Sequence, residues 1–217
     1  MLLDGIRISA PDLDEATRAY ALLLGMPPTS ERDGVRRFQL GRGAIELTAG
    51  AGGIDSLGFF VAEGSPVPQP GDVALRIARG TPPPHDDAMA IAIDHVVVHA
   101  VDAARAIATW RDDAGLRLAL DREFPARGLR LLFFRSNGIT LEFATPLPAP
   151  TNDATPDRLW GVSYRVRDLT ARRERLLAAG VDVSEVRTGM KPGTTVATVR
   201  AGTAGIPTIL IQPDTHH

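Results

Sequence analysis

The sequence predicts an α+β protein built from a repeated β-α-β-β-β unit. Three observations carry this expectation. A strand-like run passes through Gly5, His95 or Gly161, and an Asp (Asp12, Asp102 or Asp168) follows each by seven residues. An apolar helical stretch comes next and ends at Gly25, Gly115 or Gly180, which lie twenty, twenty and nineteen residues past the starting position. Strand-like runs separated by turn residues follow each helix. Such regularity argues for copies of one supersecondary unit that bury one another's faces.

In the first copy Leu3 to Ile8 is the opening strand. Asp12 caps the helix and Glu15 returns the capping-box bond. Leu13, Ala16, Tyr20, Leu23 and Leu24 form one apolar stripe, and Gly25 supplies a left-handed stop. Strands over Val35 to Leu40 and Ala44 to Thr48 complete the copy. Residues 50–91 differ: Ser56 to Ala62 and Asp72 to Ala78 read as strands, but the proline-rich stretch from Ser65 to Pro70 stands where a helix belongs, and Pro82 to Pro84 form a stiff connector. This is a degenerate copy that lost its helix. The next copy has Ile93 to Val98, a helix with Ala103, Ala106, Ile107 and Trp110 on one face, and strands over Leu116 to Leu120, Leu129 to Arg135 and Ile139 to Ala144. Thr145 to Pro156, with four prolines, is a linker. The last copy has Trp160 to Val166, a helix with Leu169, Leu176 and Leu177, and strands over Val181 to Val186, Thr194 to Arg200 and Thr208 to Gln212. Two domains follow: 1–91, with one full and one degenerate copy, and 92–217, with two paired copies carrying the candidate site.

Composition bounds the function. Hydrophobic residues make up 44% and charged residues 23%, as in ordinary globular chains. A net charge of −2 without long runs of like charge lacks the footprint of a nucleic-acid or anionic-membrane binder. No cysteine is present, which excludes disulfides, thiolate metal sites and a Cys nucleophile. No secretory signal or bilayer-spanning run is visible, so a cytoplasmic location is expected. The expected partners are a small-molecule ligand and a second copy of the chain.

Several residues stand out chemically. Glu142 sits in the apolar run Ile139-Thr140-Leu141-Glu142-Phe143, where an unpaired carboxylate costs several kcal/mol, so it needs a metal, His95 or an arginine. Strand alternation points His95, Val97 and His99 one way, and gives Arg165 the parity of Gly161 and Ser163. Arg165 either pairs with Glu142 or binds an acidic ligand. Arg187 to Thr194 holds two glycines, a proline and two cations; it reads as a plain hairpin or as a clamp in which Arg187 and Lys191 hold an anion. No Ser-His-Asp nucleophile arrangement stands out.

A repeated β-α-β-β-β unit with His in its first strand and Glu in its last, carried best by Ile93-Asp94-His95-Val96 and Gly138-Ile139-Thr140-Leu141-Glu142, resembles the vicinal oxygen chelate superfamily. That group includes glyoxalase I, extradiol dioxygenases, methylmalonyl-CoA epimerase and bleomycin-binding proteins. The resemblance spans about residues 3–213 and is weakest over 50–91. It implies cupped mixed sheets in which each unit of a pair gives one metal ligand from its first strand and one from its last. His95 and Glu142 fall on those positions. Their counterparts are Gly161 and Ile209 in the last copy, and Gly5 and Glu46 in the first.

The resemblance leaves three functions open. One is a metal-dependent lyase, isomerase or dioxygenase, with Glu142 as catalytic carboxylate, His95 and Glu142 as ligands to zinc, iron, manganese or nickel, and Arg165, Arg187 or Lys191 holding substrate charge. The second is a metal-free sequestering protein for an anionic or drug-like molecule, favoured by Gly161 and Ile209. The third is a structural or interaction protein.

Overall fold

The computed structural model describes residues 1–65, 67, 71–150 and 155–214. Its strands form two mixed sheets. The first has six strands in the order β2-β3-β4-β1-β5-β6, from β1 (Leu2–Ala10), β2 (Ser30–Arg32), β3 (Val35–Gln39), β4 (Ala44–Ala49), β5 (Gly53–Val61) and β6 (Leu75–Arg79). The second has eight, from β7 (Ile91–His99), β8 (Arg117–Phe124), β9 (Leu129–Ser136), β10 (Ile139–Pro146), β11 (Arg158–Val166), β12 (Arg187–Thr188), β13 (Thr194–Val199) and β14 (Thr208–Pro213), ordered β12-β13-β14-β11-β7-β10-β9-β8.

One pairing rule generates both sheets. The first strand of every unit lies parallel to its own last strand: β1 with β4, β7 with β10, and β11 with β14. First strands of neighbouring units pair antiparallel, β7 with β11 and β1 with β5. The degenerate copy obeys the same rule, because β5 lies parallel to β6. It has kept its first and last strands. The expected replacement of its helix falls largely on residues 66 and 68–70, outside the described residues.

The helices are α1 (Leu13–Leu24), α2 (Ala103–Ile107), which continues as a π-helical stretch Ala108–Asp113, and α3 (Leu169–Ala178). Each begins as the seven-residue offset predicts: Asp12 accepts from the Glu15 N–H, Asp102 from Ala104 and Arg105, and Asp168 from Ala171. Among the described residues Glu15 returns no capping-box bond. Gly25 closes α1 at φ 70°. The expected strand over Val181 to Val186 is largely absent: only Val183 bridges Val199, and the paired segment is displaced to β12.

The helices cover one face of the sheets. On that face Val96, Val98, Phe134, Leu141, Phe143 and Tyr164 are fully buried beneath Trp110 and its neighbours. Trp110 joins the two sheets, its ring 5.5 Å from Phe143 of β10 and 6.2 Å from Phe59 of β5. Edge contacts add to this, with the Leu3 N–H donating to Ser136 Oγ at 2.8 Å and Asn137 donating to the Leu3 carbonyl at 3.1 Å. The opposite, open face of the eight-stranded sheet presents His95, Val97 and His99 beside Thr140, Glu142 and Ala144.

Candidate functional site

Register confirms the equivalence of positions among the copies. His95 lies beside Thr140, and Glu142 is two residues beyond; Gly5 lies beside Ala44, and Glu46 is two beyond. In the last copy Val162 pairs with Thr208, which puts Gly161 beside Pro207 and Ile209 two beyond. Gly161 could not become a ligand without movement, since a Cβ there would stand 2.9 Å from the Pro207 carbonyl oxygen.

A bulge in β7 shapes the site. Opposite β11 the register passes from Ser163↔His95 to Tyr164↔Ile93, leaving Asp94 as the extra residue. Alternation alone would turn Asp94 away from the face of His95; the bulge brings both onto the open face. There Asp94 Oδ2 lies 2.9 Å from His95 Nδ1, and Asp94 Oδ1 accepts from Arg165 Nη2 at 3.3 Å. His95 Nε2 lies 2.9 Å from Ser163 Oγ and 3.7 Å from Glu142 Oε2.

Two expectations change accordingly. Arg165 pairs with Asp94 and not with Glu142, so the Arg165–Glu142 ion pair is not formed. Its Nε is buried without a hydrogen-bond partner among the described residues. Ser163, His95 and Asp94 do line up in the order of a nucleophile, base and orienting acid, which the sequence had not suggested. Ser163 is nonetheless 1% exposed in mid-strand, where neighbouring backbone donors belong to the ladder. It is a prop for the imidazole, not an attacking group.

The carboxylates are tuned in opposite directions. Burial pushes Asp94 up, but the hydrogen bond and charge of His95, with Arg165 behind them, outweigh it and hold the group at about 2. Burial raises Glu142 above the ordinary range and Asp94 adds repulsion, which the His95 charge only partly offsets.

As a metal centre the donor set is incomplete. Asp94 on Nδ1 would orient His95 to ligate through Nε2, and Glu142 offers a second donor. The symmetry-related positions, Gly161 and Ile209, offer none, and an open catalytic centre needs three protein ligands. Among the described residues no group of three His, Cys, Asp or Glu side chains could hold a metal ion. These residues do not fit a resident metal. Glu46 cannot complete the set, for it lies in the other sheet, bound by Arg7, Arg37 and Arg76.

Arg187 and Lys191 lie apart from His95. Arg187 is on edge strand β12, three strand spacings, about 14 Å, from β11. Its pairing row, Arg187↔Val196↔Ile211↔Arg165, nevertheless puts it on the open face. Lys191 is exposed in a turn that Thr194 Oγ closes by donating to the Lys191 carbonyl at 2.6 Å. At the far end of the same face, His99, which alternation placed there, meets Trp160 and Arg158, which sequence reasoning left out. His99 stacks on Trp160 at 4.6 Å, and a cavity of about 360 Å³ opens between His99, Leu129, Ala144, Pro156 and Arg158. Burial, and then the charge of Arg158, lower the His99 pKa.

Comparison with known proteins agrees with this architecture. Residues 94–198 match the family described as the glyoxalase/bleomycin resistance protein/dioxygenase superfamily. Similar solved structures include a mutant 4-hydroxymandelate synthase from Streptomyces coelicolor, with 14% identity, TM-score 0.72, and coverage of 99% of this chain and 93% of that one. The Mn(II)-bound glyoxalase from Novosphingobium aromaticivorans also has 14% identity and TM-score 0.72, covering 97% and 81%. Methylmalonyl-CoA epimerase from Mycobacterium tuberculosis aligns at 22% identity and TM-score 0.46 over 56% of this chain and 87% of its own. No functionally curated protein matches the sequence significantly. No helix among the described residues is long and apolar enough to cross a membrane. Residues 94–198 thus match the glyoxalase/bleomycin resistance protein/dioxygenase superfamily, and the chain as a whole has the vicinal oxygen chelate fold.

Proposed function

We propose that the open face of the eight-stranded sheet binds an anionic small molecule without a resident metal. The observation that supports this reading is an excess of unpaired cations on that face. Arg117 and Arg135 share the pairing row of His95, Arg158 pairs with His99, and Arg187 lies in the row of Arg165. None of these four forms an ion pair among the described residues. The carboxylates of the central group, Asp94 and Glu142, are held close to His95 and do not reach them. The cavity beside His99 is mainly apolar with convergent polar groups, as small-molecule sites are, and lies about 13 Å from His95 along β7. Arg158 would hold an acidic group there while Leu129 and Ala144 cover an apolar body.

The test is calorimetry with 8-anilinonaphthalene-1-sulfonate, an anionic aromatic probe, in excess EDTA. Saturable 1:1 binding that weakens about tenfold in Arg158→Gln is expected. Absence of binding, or binding indifferent to Arg158, would sink the reading.

A second reading, a metal-dependent lyase, isomerase or dioxygenase on His95 and Glu142, is favoured by the 3.7 Å approach of these donors. It requires a third ligand from outside the described set. Metal titration separates the two.

A further inference from the structure

The six-stranded sheet has the same four positions, filled differently. Gly5 and Glu46 stand where His95 and Glu142 stand in the larger sheet. In β5 a register shift opposite Arg7 and Ile8 leaves Asp55 as the extra residue, as Asp94 is in β7, so Ser56 takes the His95 position. Leu57 pairs with Leu75 and Gly58 with Arg76, which puts Arg76 where the last-strand ligand belongs. Arg76 reaches Glu46 through Nη1 at 2.8 Å and Ser56 Oγ through Nε at 3.0 Å. A guanidinium thus bridges the residues that a metal would bridge in the superfamily's arrangement.

Three arginines converge on Glu46, and it cannot satisfy them. Its carboxylate accepts from Arg7 Nε at 3.2 Å and Nη2 at 2.9 Å and from Arg37 Nη1 at 2.8 Å, and Arg76 Nη1 lies beside it as an ion pair. Oε2 thus faces three guanidinium nitrogens, more than its two lone pairs can serve. Asp4 takes Arg37 Nη2 at 3.0 Å. Within this ion-paired group Arg7, Arg37 and Arg76 against Asp4 and Glu46 leave one positive charge over, and the neighbouring Asp55 is held by Ser9 Oγ at 2.8 Å and pairs with none of the three. Arg7 Nη1 and Arg76 Nη2 have no partner among the described residues. Glu46 is 8% exposed, whereas the Arg7 and Arg76 side chains are 33% and 27% exposed, so the surplus charge faces outward. Gly58 keeps the floor open: a Cβ there would stand 3.0 Å from Arg76 Nη2.

We propose that the open face of the six-stranded sheet is a second ligand site, which binds the carboxylate or phosphate group of a small molecule between Arg7 and Arg76. The oxyanion accepts the N–H groups that Glu46 leaves over and neutralises the remaining charge. This inference is independent of the reading given to the eight-stranded sheet.

Arginine side-chain NMR signals of the intact protein, titrated with inorganic phosphate and separately with malonate, test it. Saturable shifts at Arg7 and Arg76 are expected, and the tighter probe identifies the group as phosphate or carboxylate. Arg76→Gln should weaken binding about tenfold, and Glu46→Gln, which frees donors and removes a competing charge, should tighten it about tenfold. If neither anion shifts these signals by about 50 mM, or if folded Arg76→Gln binds as well as wild type, the proposal is wrong. The wild-type titration stands even if a variant fails to fold.

Discussion

At His95 a one-residue bulge decides which carboxylate the imidazole meets. Asp94 joins it on the open face, takes Nδ1 and is held at about 2. A carboxyl whose folded pKa lies below its unfolded value stabilises the fold above the ordinary carboxylate range and loses that contribution as pH falls. Asp94→Asn should therefore cost roughly 2 kcal/mol at pH 7, and wild type should lose this advantage between about pH 4 and pH 2. Urea denaturation of both proteins across that window checks it; parallel curves would refute the assignment. Glu142 has the opposite sign. Its raised pKa makes the charged form unfavourable, so stability falls as pH rises from the ordinary carboxylate range through its folded pKa. Glu142→Gln is expected to stabilise the protein at pH 7 by roughly 1 kcal/mol, or about 2–4 °C in Tm; a lower Tm would show that Glu142 is better satisfied than its surroundings indicate. That His95, Glu142 and Arg165 share one face was legible in the sequence because alternation along a strand sets parity. Asp94 was not, since a bulge breaks the alternation and leaves no signature in residue type, and the Ser163 contact with His95 depends on the register between β11 and β7.

The elements were legible where local chemistry defines them. Asp12, Asp102 and Asp168 cap their helices because a carboxylate can accept the orphan N–H groups of the first turn. The run Val181 to Val186 misled because β-branched residues suit a strand but cannot supply a partner; Ser184 instead ties this segment to Thr198. The same view of strands yields a design test of the donor count. Ile209 occupies on β14 the place that Glu142 occupies on β10, and Ile209→Glu adds the missing third donor. We expect this variant to gain Zn²⁺ affinity at least about tenfold over wild type by calorimetry. No gain would mean that the shortage of donors is not what limits the site.

Over the whole molecule, the repeat implied that copies pair into sheets, whereas the strand order within each sheet and the contact between sheets were not legible. Trp110 read as core from its helical spacing, but its role in spanning Phe59 and Phe143 depends on tertiary packing. Trp110→Ala should cost about 3–5 kcal/mol and loosen both sheets together, which hydrogen exchange of β5 and β10 amides would show; loosening of β10 alone would contradict that role. The two sheets give different answers to the same four positions, a guanidinium between Glu46 and Ser56 in one, and an imidazole with one nearby carboxylate in the other. That the larger site works without a resident metal is the central claim. Calorimetric titration of the chelator-treated protein with Zn²⁺, Fe²⁺, Mn²⁺ and Ni²⁺ tests it most directly. The structure predicts no stoichiometric binding tighter than about 100 μM, in wild type or in Glu142→Ala. Stoichiometric micromolar binding by wild type, abolished in Glu142→Ala, would contradict it.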